Sequence, residues 1–216
     1  MLSQKASKFN IDKFIHLSSL GIENAKDSMY ALSKLNGEKK ITKNFKRSII
    51  LKPSIVYSVD DKFTTNFMTL INRLPFMPLY YGGNTKFTPI HVTDLVDIIY
   101  EMVNQDYPGL ILECIGPEVL SFKQIIESLL NSINKKRLLF SLPLPLAKIS
   151  AKIFQLLPNP LLTEDQLNLL KYDNIKSGNY KTNYDLGFNT NKIFKSEVNK
   201  YSFNWRTGGQ FAKQND

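Results

Sequence analysis

A tyrosine and a lysine at positions i and i+4 are the first candidates for chemistry in this sequence. Tyr30 and Lys34 lie in a segment rich in alanine, leucine and lysine, which predicts a helix. Residues at this spacing share one helix face, so the phenol and the ammonium would be neighbours. A phenol is a poor base at neutral pH, and a nearby ammonium favours its charged form. The pair could therefore perform general acid–base catalysis, with Ser19 hydrogen-bonding a substrate oxygen beside the phenol.

Spacing alone does not establish such a site in a chain rich in tyrosine and lysine. Tyr172 and Lys176 have the same spacing, and about one such pair is expected by chance in this chain. No serine-tipped strand precedes this second pair and no strand–helix–strand unit surrounds it, so we interpret it as accidental. By itself, the pair at Tyr30 and Lys34 could equally be an exposed helix pair.

The elements around Tyr30 favour the catalytic interpretation. The pattern predicts a short buried strand, a helix capped by Asp27, and a nearly continuous apolar strand, at residues 13–19, 28–45 and 48–57. This order forms a βαβ unit of a parallel sheet.

The rest of the chain predicts further short elements and then small helices. We expect strands at 87–92 and 110–115 and helices at 63–74 and, capped by Thr93 or Asp94, up to about 104. Two capping boxes predict two more helix starts, Ser121 with Gln124 and Thr163 with Gln166.

Composition and charge exclude several classes of protein. The 216 residues are 43% hydrophobic and 22% charged, which is typical of a globular chain and not of a disordered one. The net charge is +9, but only four of the 28 basic residues are arginines and no recognition motif occurs, so we expect no nucleic-acid function. No apolar run predicts a transmembrane helix, and no signal peptide is visible.

Metal and disulfide chemistry are not expected either. Cys114 is the single cysteine, which excludes an internal disulfide and indicates a reducing compartment. His16 and His91 are the two histidines, they lie far apart, and no third ligand is spaced nearby, so we predict no metal site. We interpret Cys114 as a small core residue and His91 as a packed residue before a helix cap.

Residues 138–162 form an apolar segment interrupted by four prolines. The simpler interpretation is a hydrophobic hairpin packed on the body of the protein. The alternative is a partly exposed apolar surface with Lys148 and Lys152 beside it, which would suit a membrane surface or a membrane protein.

Several motifs in one order resemble the extended and atypical short-chain dehydrogenase/reductase superfamily. They lie at residues 14–21, 28–38, 50–57 and 91–94. Further motifs are similar to one branch, the dehydrogenase-like accessory subunit of respiratory complex I and its bacterial relatives. These motifs lie at residues 60–63, 79–83, 140–146 and 162–174, and the resemblance covers about residues 11–190.

The resemblance implies roles for individual residues. Tyr30 matches the acid–base tyrosine, Lys34 the lysine that holds the nicotinamide ribose, and Ser19 the serine of the triad. A second set matches positions beside the nicotinamide: Ser18, Pro53, Ser54 and Ile55. Lys52 and Ser58 depart from the pattern, since extended members more often carry arginine and glycine there, and this departure concerns substrate binding.

A larger departure is that no glycine-rich turn follows a first strand to hold the dinucleotide pyrophosphate. We expect the nucleotide-binding strands upstream of Met1, so that the chain is N-terminally truncated, a fragment or a gene model started at an internal methionine. A real half-protein is the alternative. The predicted architecture is α/β: residues 1–115 form the C-terminal part of a Rossmann-type doubly wound parallel sheet, and residues 116–216 a small, mainly helical subdomain.

The resemblance implies an NAD- or NADP-binding protein with a Ser–Tyr–Lys acid–base site. The alternative is a non-catalytic, NADPH-binding structural subunit of NADH:quinone oxidoreductase, and a lipid- or quinone-linked reductase is a third possibility. Expected partners are complex I subunits and the membrane surface. The expected location is the cytoplasm. The resemblance also implies an alternative, a peripheral position on the inner face of a respiratory membrane.

Overall fold

The computed structural model describes residues 2–143, 145–146 and 163–211. Its strands are β1 (Ile15–Leu17), β2 (Ile49–Pro53), β3 (Val56–Tyr57), β4 (Phe76–Leu79), β5 (Lys86–Phe87), β6 (Ile90–His91), β7 (Ile111–Cys114), β8 (Leu120–Ser121), β9 (Leu138–Ser141) and β10 (Lys181–Thr182). Its α-helices are α1 (Leu2–Lys8), α2 (Met29–Asn44), α3 (Lys62–Arg73), α4 (Val92–Asn104), α5 (Phe122–Ser132), α6 (Glu164–Leu169) and α7 (Phe194–Tyr201). Short 3₁₀ turns occupy Tyr80–Gly83, Tyr184–Leu186, Ser202–Trp205 and Gly209–Phe211.

A parallel sheet in the order β1-β2-β7-β10 forms the centre of the protein. Ile15 lies beside Ile49 in β2, and Lys52 of β2 lies beside Glu113 in β7. Helix α2 connects β1 to β2, and α4 precedes β7, so the chain returns through helices as parallel strands require. The predicted α/β fold with a βαβ unit around Tyr30 is confirmed.

The two faces of this sheet differ in polarity. One face packs against α4 in an apolar core of buried residues: Ile49, Leu51, Ile90, Leu95, Ile98, Met102, Leu112 and Cys114. The core position predicted for Cys114 is confirmed, since its side chain is fully buried. On the opposite face Lys52 reaches an acidic residue of α2, Glu38. The sheet is therefore held to α4 by apolar burial and to α2 in part by charge.

A second core lies among α3, α5 and α7. Phe67 of α3 and Phe122 of α5 meet edge to face with ring centres 5.3 Å apart. Tyr57 of β3 meets Phe194 of α7 in the same way at 4.8 Å. Full burial of a side chain such as Phe122 contributes about 1.5–3 kcal/mol, so these rings fix the helices that form one side of the candidate site.

Three local predictions are wrong, and in the first two a neighbouring residue caps the helix instead. Ser28, not Asp27, is the N-cap of α2, and its hydroxyl accepts a hydrogen bond from the Ala31 N–H. His91, not Thr93 or Asp94, is the N-cap of α4, with its Nδ1 accepting from the Thr93 N–H.

The third wrong prediction is the strand expected at 87–92. It divides into β5 and β6, and the two pair with different strands. Pro89 lies in the gap between them and has no N–H for a sheet. Its carbonyl lies so close to Gly116 that a Cβ there would come within 1.7 Å of the oxygen. The break is therefore held by a close backbone contact as well as by proline.

Strand β1 is less buried than the sequence predicts. It is an edge strand of the described sheet, and Leu17 is 43% exposed. The apolar segment at 138–162 lies largely outside the described residues, so neither interpretation of it is tested. In the described part of the chain no helix is long and apolar enough to cross a bilayer.

Candidate active site

The structure brings Tyr30 and Lys34 together at the carboxyl end of β1. Tyr30 stands in the first turn of α2, and Lys34 follows one turn later. The Lys34 ammonium donates a hydrogen bond to the Leu17 carbonyl at 3.1 Å and lies 5.7 Å from the centre of the Tyr30 ring. That distance is within the reach of a cation–π contact. The end of β1 therefore fixes the lysine, and the lysine lies beside the phenol.

A cavity of about 690 Å³ opens beside this pair. Ser19, which follows β1, lies in its wall together with Tyr30 and Ile55. Tyr30 is 44% exposed, so its phenol is accessible from the cavity. Three of the seven predicted site residues thus face one space, which is large enough for a small molecule.

Three other predicted residues do not line the cavity, and their polar groups are already bonded. The Ser18 hydroxyl donates to the Glu38 carboxylate. The Ser54 hydroxyl bonds Asn174, with its oxygen 2.6 Å from Oδ1. Pro53 is buried in β2, and its carbonyl accepts from the Leu20 N–H at 2.9 Å. Their hydrogen bonds hold the chain around the site, and a role beside a nicotinamide remains a prediction.

The N-terminus of α2 is held by a carboxylate from a distant part of the chain. Asp165 of α6 accepts from the Met29 N–H at 2.7 Å, the Tyr30 N–H at 3.1 Å and the Ser28 hydroxyl at 3.1 Å. A negative charge at this end of a helix is favoured by the helix dipole and by its free N–H groups. Asp165 therefore fixes the turn that carries Tyr30.

A buried lysine lies behind the site. The Lys52 side chain is 1% exposed, and its ammonium bonds Glu23 and also Glu38 at 3.0 Å. Burial lowers the pKa of Lys52, but the hydrogen bonds to Glu23 and Glu38 outweigh burial and leave that pKa above its ordinary value. The ring of Tyr180 lies 5.0 Å from the ammonium. Because Glu38 also receives the Ser18 hydroxyl, this cluster joins β2, α2 and the residue after β1.

The second tyrosine–lysine pair has no catalytic geometry. Helix α6 ends at Leu169, so Tyr172 and Lys176 do not share a helical turn. Tyr172 nevertheless lies in the cavity wall, as does Asn66 of α3, and neither was singled out as a site residue. Asn66 on α3 and Tyr172 in the loop after α6 come next to the site only when the chain folds. Within the described residues no three histidine, cysteine or acidic side chains are grouped to hold a metal ion.

The fold is similar to that of solved epimerase and dehydratase structures. The structure of UDP-glucuronic acid 4-epimerase from Bacillus cereus, in complex with UDP-glucuronic acid and NAD, superposes with a TM-score of 0.60 at 17% identity, over 93% of this chain and 64% of that one. That of dTDP-glucose 4,6-dehydratase from Streptomyces venezuelae, with NAD bound, gives 0.64 at 15% identity, over 94% and 62%.

The sequence is similar to that of subunits of NADH dehydrogenase. The "NADH dehydrogenase [ubiquinone] 1 alpha subcomplex subunit 9, mitochondrial" of Arabidopsis thaliana is 26% identical over 92% of this chain and 52% of its own length. The "NADH-ubiquinone oxidoreductase 40 kDa subunit, mitochondrial" of Neurospora crassa is 23% identical over 86% and 49%. No family model matches the chain. The chain is thus related to complex I accessory subunits, as predicted, and it spans about half of their length.

Proposed function

We propose that this chain supplies the nicotinamide side and the substrate side of an NAD(P)-linked oxidoreductase or epimerase site of the short-chain type. The observation that carries the proposal is the position of Lys34, fixed to the end of β1 and 5.7 Å from the Tyr30 ring, beside a cavity that Ser19 also lines. Acid–base chemistry by a tyrosine needs these groups in one place. Fold alone would not support an activity.

The residues present fit one end of a dinucleotide. Lys34 would hold the nicotinamide ribose, and Ser18, Pro53, Ser54 and Ile55 would lie beside the nicotinamide, which supplies or accepts a hydride when bound. The sequence has no glycine-rich turn between a strand and a helix for the pyrophosphate. These residues would therefore provide only part of the binding energy for NAD or NADP, and none of them distinguishes between the two.

The chain's own residues would handle the substrate oxygen and its proton. Ser19 donates a hydrogen bond to that oxygen, which positions it and polarises the bond to carbon. Tyr30 gives a proton to the oxygen in one direction and removes it in the other. The Lys34 ammonium favours the phenolate that remains after proton transfer, because opposite charges attract. Asp165 keeps the first turn of α2, and with it Tyr30, in place.

Binding of the reduced cofactor tests the nicotinamide side. We expect NADH or NADPH to show enhanced, blue-shifted fluorescence with the protein expressed from its own gene. Lys34→Met should weaken binding about 10- to 100-fold, because a hydrogen bond from a charged group contributes about 1.5–3 kcal/mol. Lys40→Met, on an exposed position of the same helix, is the matched control. Equal binding by the two variants would overturn the assignment of Lys34.

A second function, as a structural subunit of complex I, is favoured by the sequence relatives. These relatives are named as subunits of NADH dehydrogenase and not as free enzymes. On this proposal the protein associates with complex I at the inner face of the respiratory membrane and binds NADPH without turnover. Co-purification of tagged protein with complex I subunits tests it. A protein that purifies alone from cells with intact complex I would count against this role.

A further inference from the structure

The wall of the cavity beside Ser19 and Tyr30 is mainly apolar. Its volume of about 690 Å³ falls within the usual range for small-molecule sites, about 300–1,000 Å³. Large apolar side chains enter it from the loop after β1, from α3 and from the end of α6: Leu20, Ile22, Phe63, Phe67, Leu169 and Leu170. Such a wall favours a ligand with apolar surface, because binding removes both surfaces from water.

Several polar side chains in the wall already have partners within the protein. Thr163 and Gln166 bond each other's backbone in the capping box of α6. Nδ2 of Asn174 donates to the Leu20 carbonyl at 2.5 Å, and its Oδ1 accepts from the Ser54 hydroxyl. A ligand that needed these groups would have to break existing hydrogen bonds, at a cost comparable to the gain.

Three uncharged polar groups in the wall are available to a ligand. The Ser19 and Tyr30 hydroxyls and the Asn66 amide line the cavity and have no hydrogen-bond partner among the residues that the structure describes. Ser19 and Tyr30 belong to the acid–base site, so both hydroxyls would bond the same reacting oxygen of the ligand. Asn66, on α3, accounts for at most one further polar group of the ligand.

Charge distinguishes this cavity from a nucleotide-sugar site. In the part of the wall that the structure describes, Lys62 and Asp173 are the charged residues, and both are exposed. None of the four arginines of the chain lines the cavity. A diphosphate carries two negative charges and is bound best by arginine forks. The described wall therefore offers little to the diphosphate of a UDP-sugar, the ligand of the Bacillus cereus epimerase structure.

We propose that the cavity takes a neutral, largely apolar carbonyl compound, an aromatic or long-chain ketone or aldehyde, with its reacting oxygen at the Ser19 and Tyr30 hydroxyls. This proposal rests on the proposed function. The carbonyl carbon accepts a hydride from reduced nicotinamide and forms a C–H bond. The π-electron pair moves to oxygen, which takes the Tyr30 proton. The nicotinamide is oxidised by two electrons, the ketone is reduced to an alcohol, and the phenolate regains a proton from water.

Binding of prodan, a neutral naphthyl ketone whose emission shifts to the blue in apolar surroundings, tests the ligand class. The protein expressed from its own gene should bind it with a blue shift. Phe63→Lys places a charge in the wall and should weaken binding about tenfold or more, because an apolar ligand cannot satisfy that charge. Phe9→Lys is the control, since Phe9 is 69% exposed and outside the cavity. Leu169→Lys, on another helix, repeats the test should Phe63→Lys fail to fold.

Competition and turnover separate this proposal from the one on which it rests. UDP-glucuronic acid should not displace prodan, and displacement would overturn the apolar ligand class. Equal binding by Phe63→Lys, Leu169→Lys and Phe9→Lys would also overturn it. If prodan binds as expected but is not reduced with NADH or NADPH, the ligand class stands and the oxidoreductase proposal fails. If UDP-glucuronic acid is turned over instead, the acid–base site stands and the ligand class is wrong.

Discussion

Replacing the buried Lys52 by methionine should destabilise the protein strongly. Methionine keeps most of the length of the side chain but removes the charge. Glu38, whose side chain is 11% exposed, would then have the Ser18 hydroxyl as its remaining side-chain partner. Removing one partner of a buried ion pair costs about 3–5 kcal/mol. Glu23 is 37% exposed and can be solvated, so we expect a cost near the lower end, about 3 kcal/mol.

Lys123→Met is the matched control for this substitution. Lys123 pairs with Glu127 at 3.8 Å on α5, and both side chains are about half exposed. Exposed pairs at this spacing contribute about 0.3–0.5 kcal/mol. The double variant Lys52→Met with Glu38→Gln removes both buried charges, and it should be more stable than Lys52→Met alone.

Urea unfolding measures these differences in the free energy of unfolding. Circular dichroism reports the helices, and the fluorescence of Trp205, which donates to the Thr69 hydroxyl at 2.9 Å, reports the second core. Coincident transitions would justify a two-state treatment. A total stability of about 5–15 kcal/mol is usual, so a loss of about 3 kcal/mol is measurable. If Lys52→Met costs no more than Lys123→Met, the buried cluster does not stabilise the fold as we argue.

The same cluster predicts a dependence on alkaline pH. The folded state raises the pKa of Lys52, so its contribution is complete below the unfolded value of about 10.4 and is lost as pH rises through the folded pKa. The penalty of Lys52→Met should therefore be constant from pH 7 to 9 and shrink above about pH 10.4. A penalty that stays constant throughout would contradict this reasoning.

Two further predictions concern the helix cap and the cysteine. Asp165→Ala should cost about 1–2 kcal/mol of stability in urea unfolding, as loss of a helix cap does, whereas Glu164→Ala on the same helix should cost less than half as much. Burial is the largest cause, and the charge of Glu113 the second, that raises the pKa of the Cys114 thiol to about 12. A thiol reagent should therefore label Cys114 only after denaturant is added. Rapid labelling of the folded protein would be contrary evidence.

The parts of the fold that local signals determine could be predicted. The strand, helix and strand around Tyr30 follow from apolar runs and helix-forming residues, and both predicted capping boxes are present, at Ser121 and at Thr163. These signals act within a few residues, so the sequence carries them directly.

The parts that depend on distant contacts could not be predicted. Both Asp27 and Ser28 can cap a helix, and their roles are distinguished by groups more than 130 residues away: Asp165 receives the Ser28 hydroxyl, and Lys171 pairs with Asp27 at 3.6 Å. Lys52 lies in an apolar strand, where a charge has to find partners from other elements. Asn66 reaches the cavity wall only through the packing of α3.

The most direct test of the central claim is the turnover of an aromatic ketone by Tyr30→Phe. It is compared with the turnover by the unaltered protein expressed from its own gene. Phenylalanine keeps the ring and removes the proton that the site must transfer. General acid–base catalysis contributes about 100- to 10,000-fold, so we predict that kcat with NADH or NADPH falls at least about 100-fold while KM changes little. A kcat within a few-fold of the unaltered protein would contradict the assignment of Tyr30 and, with it, the acid–base site.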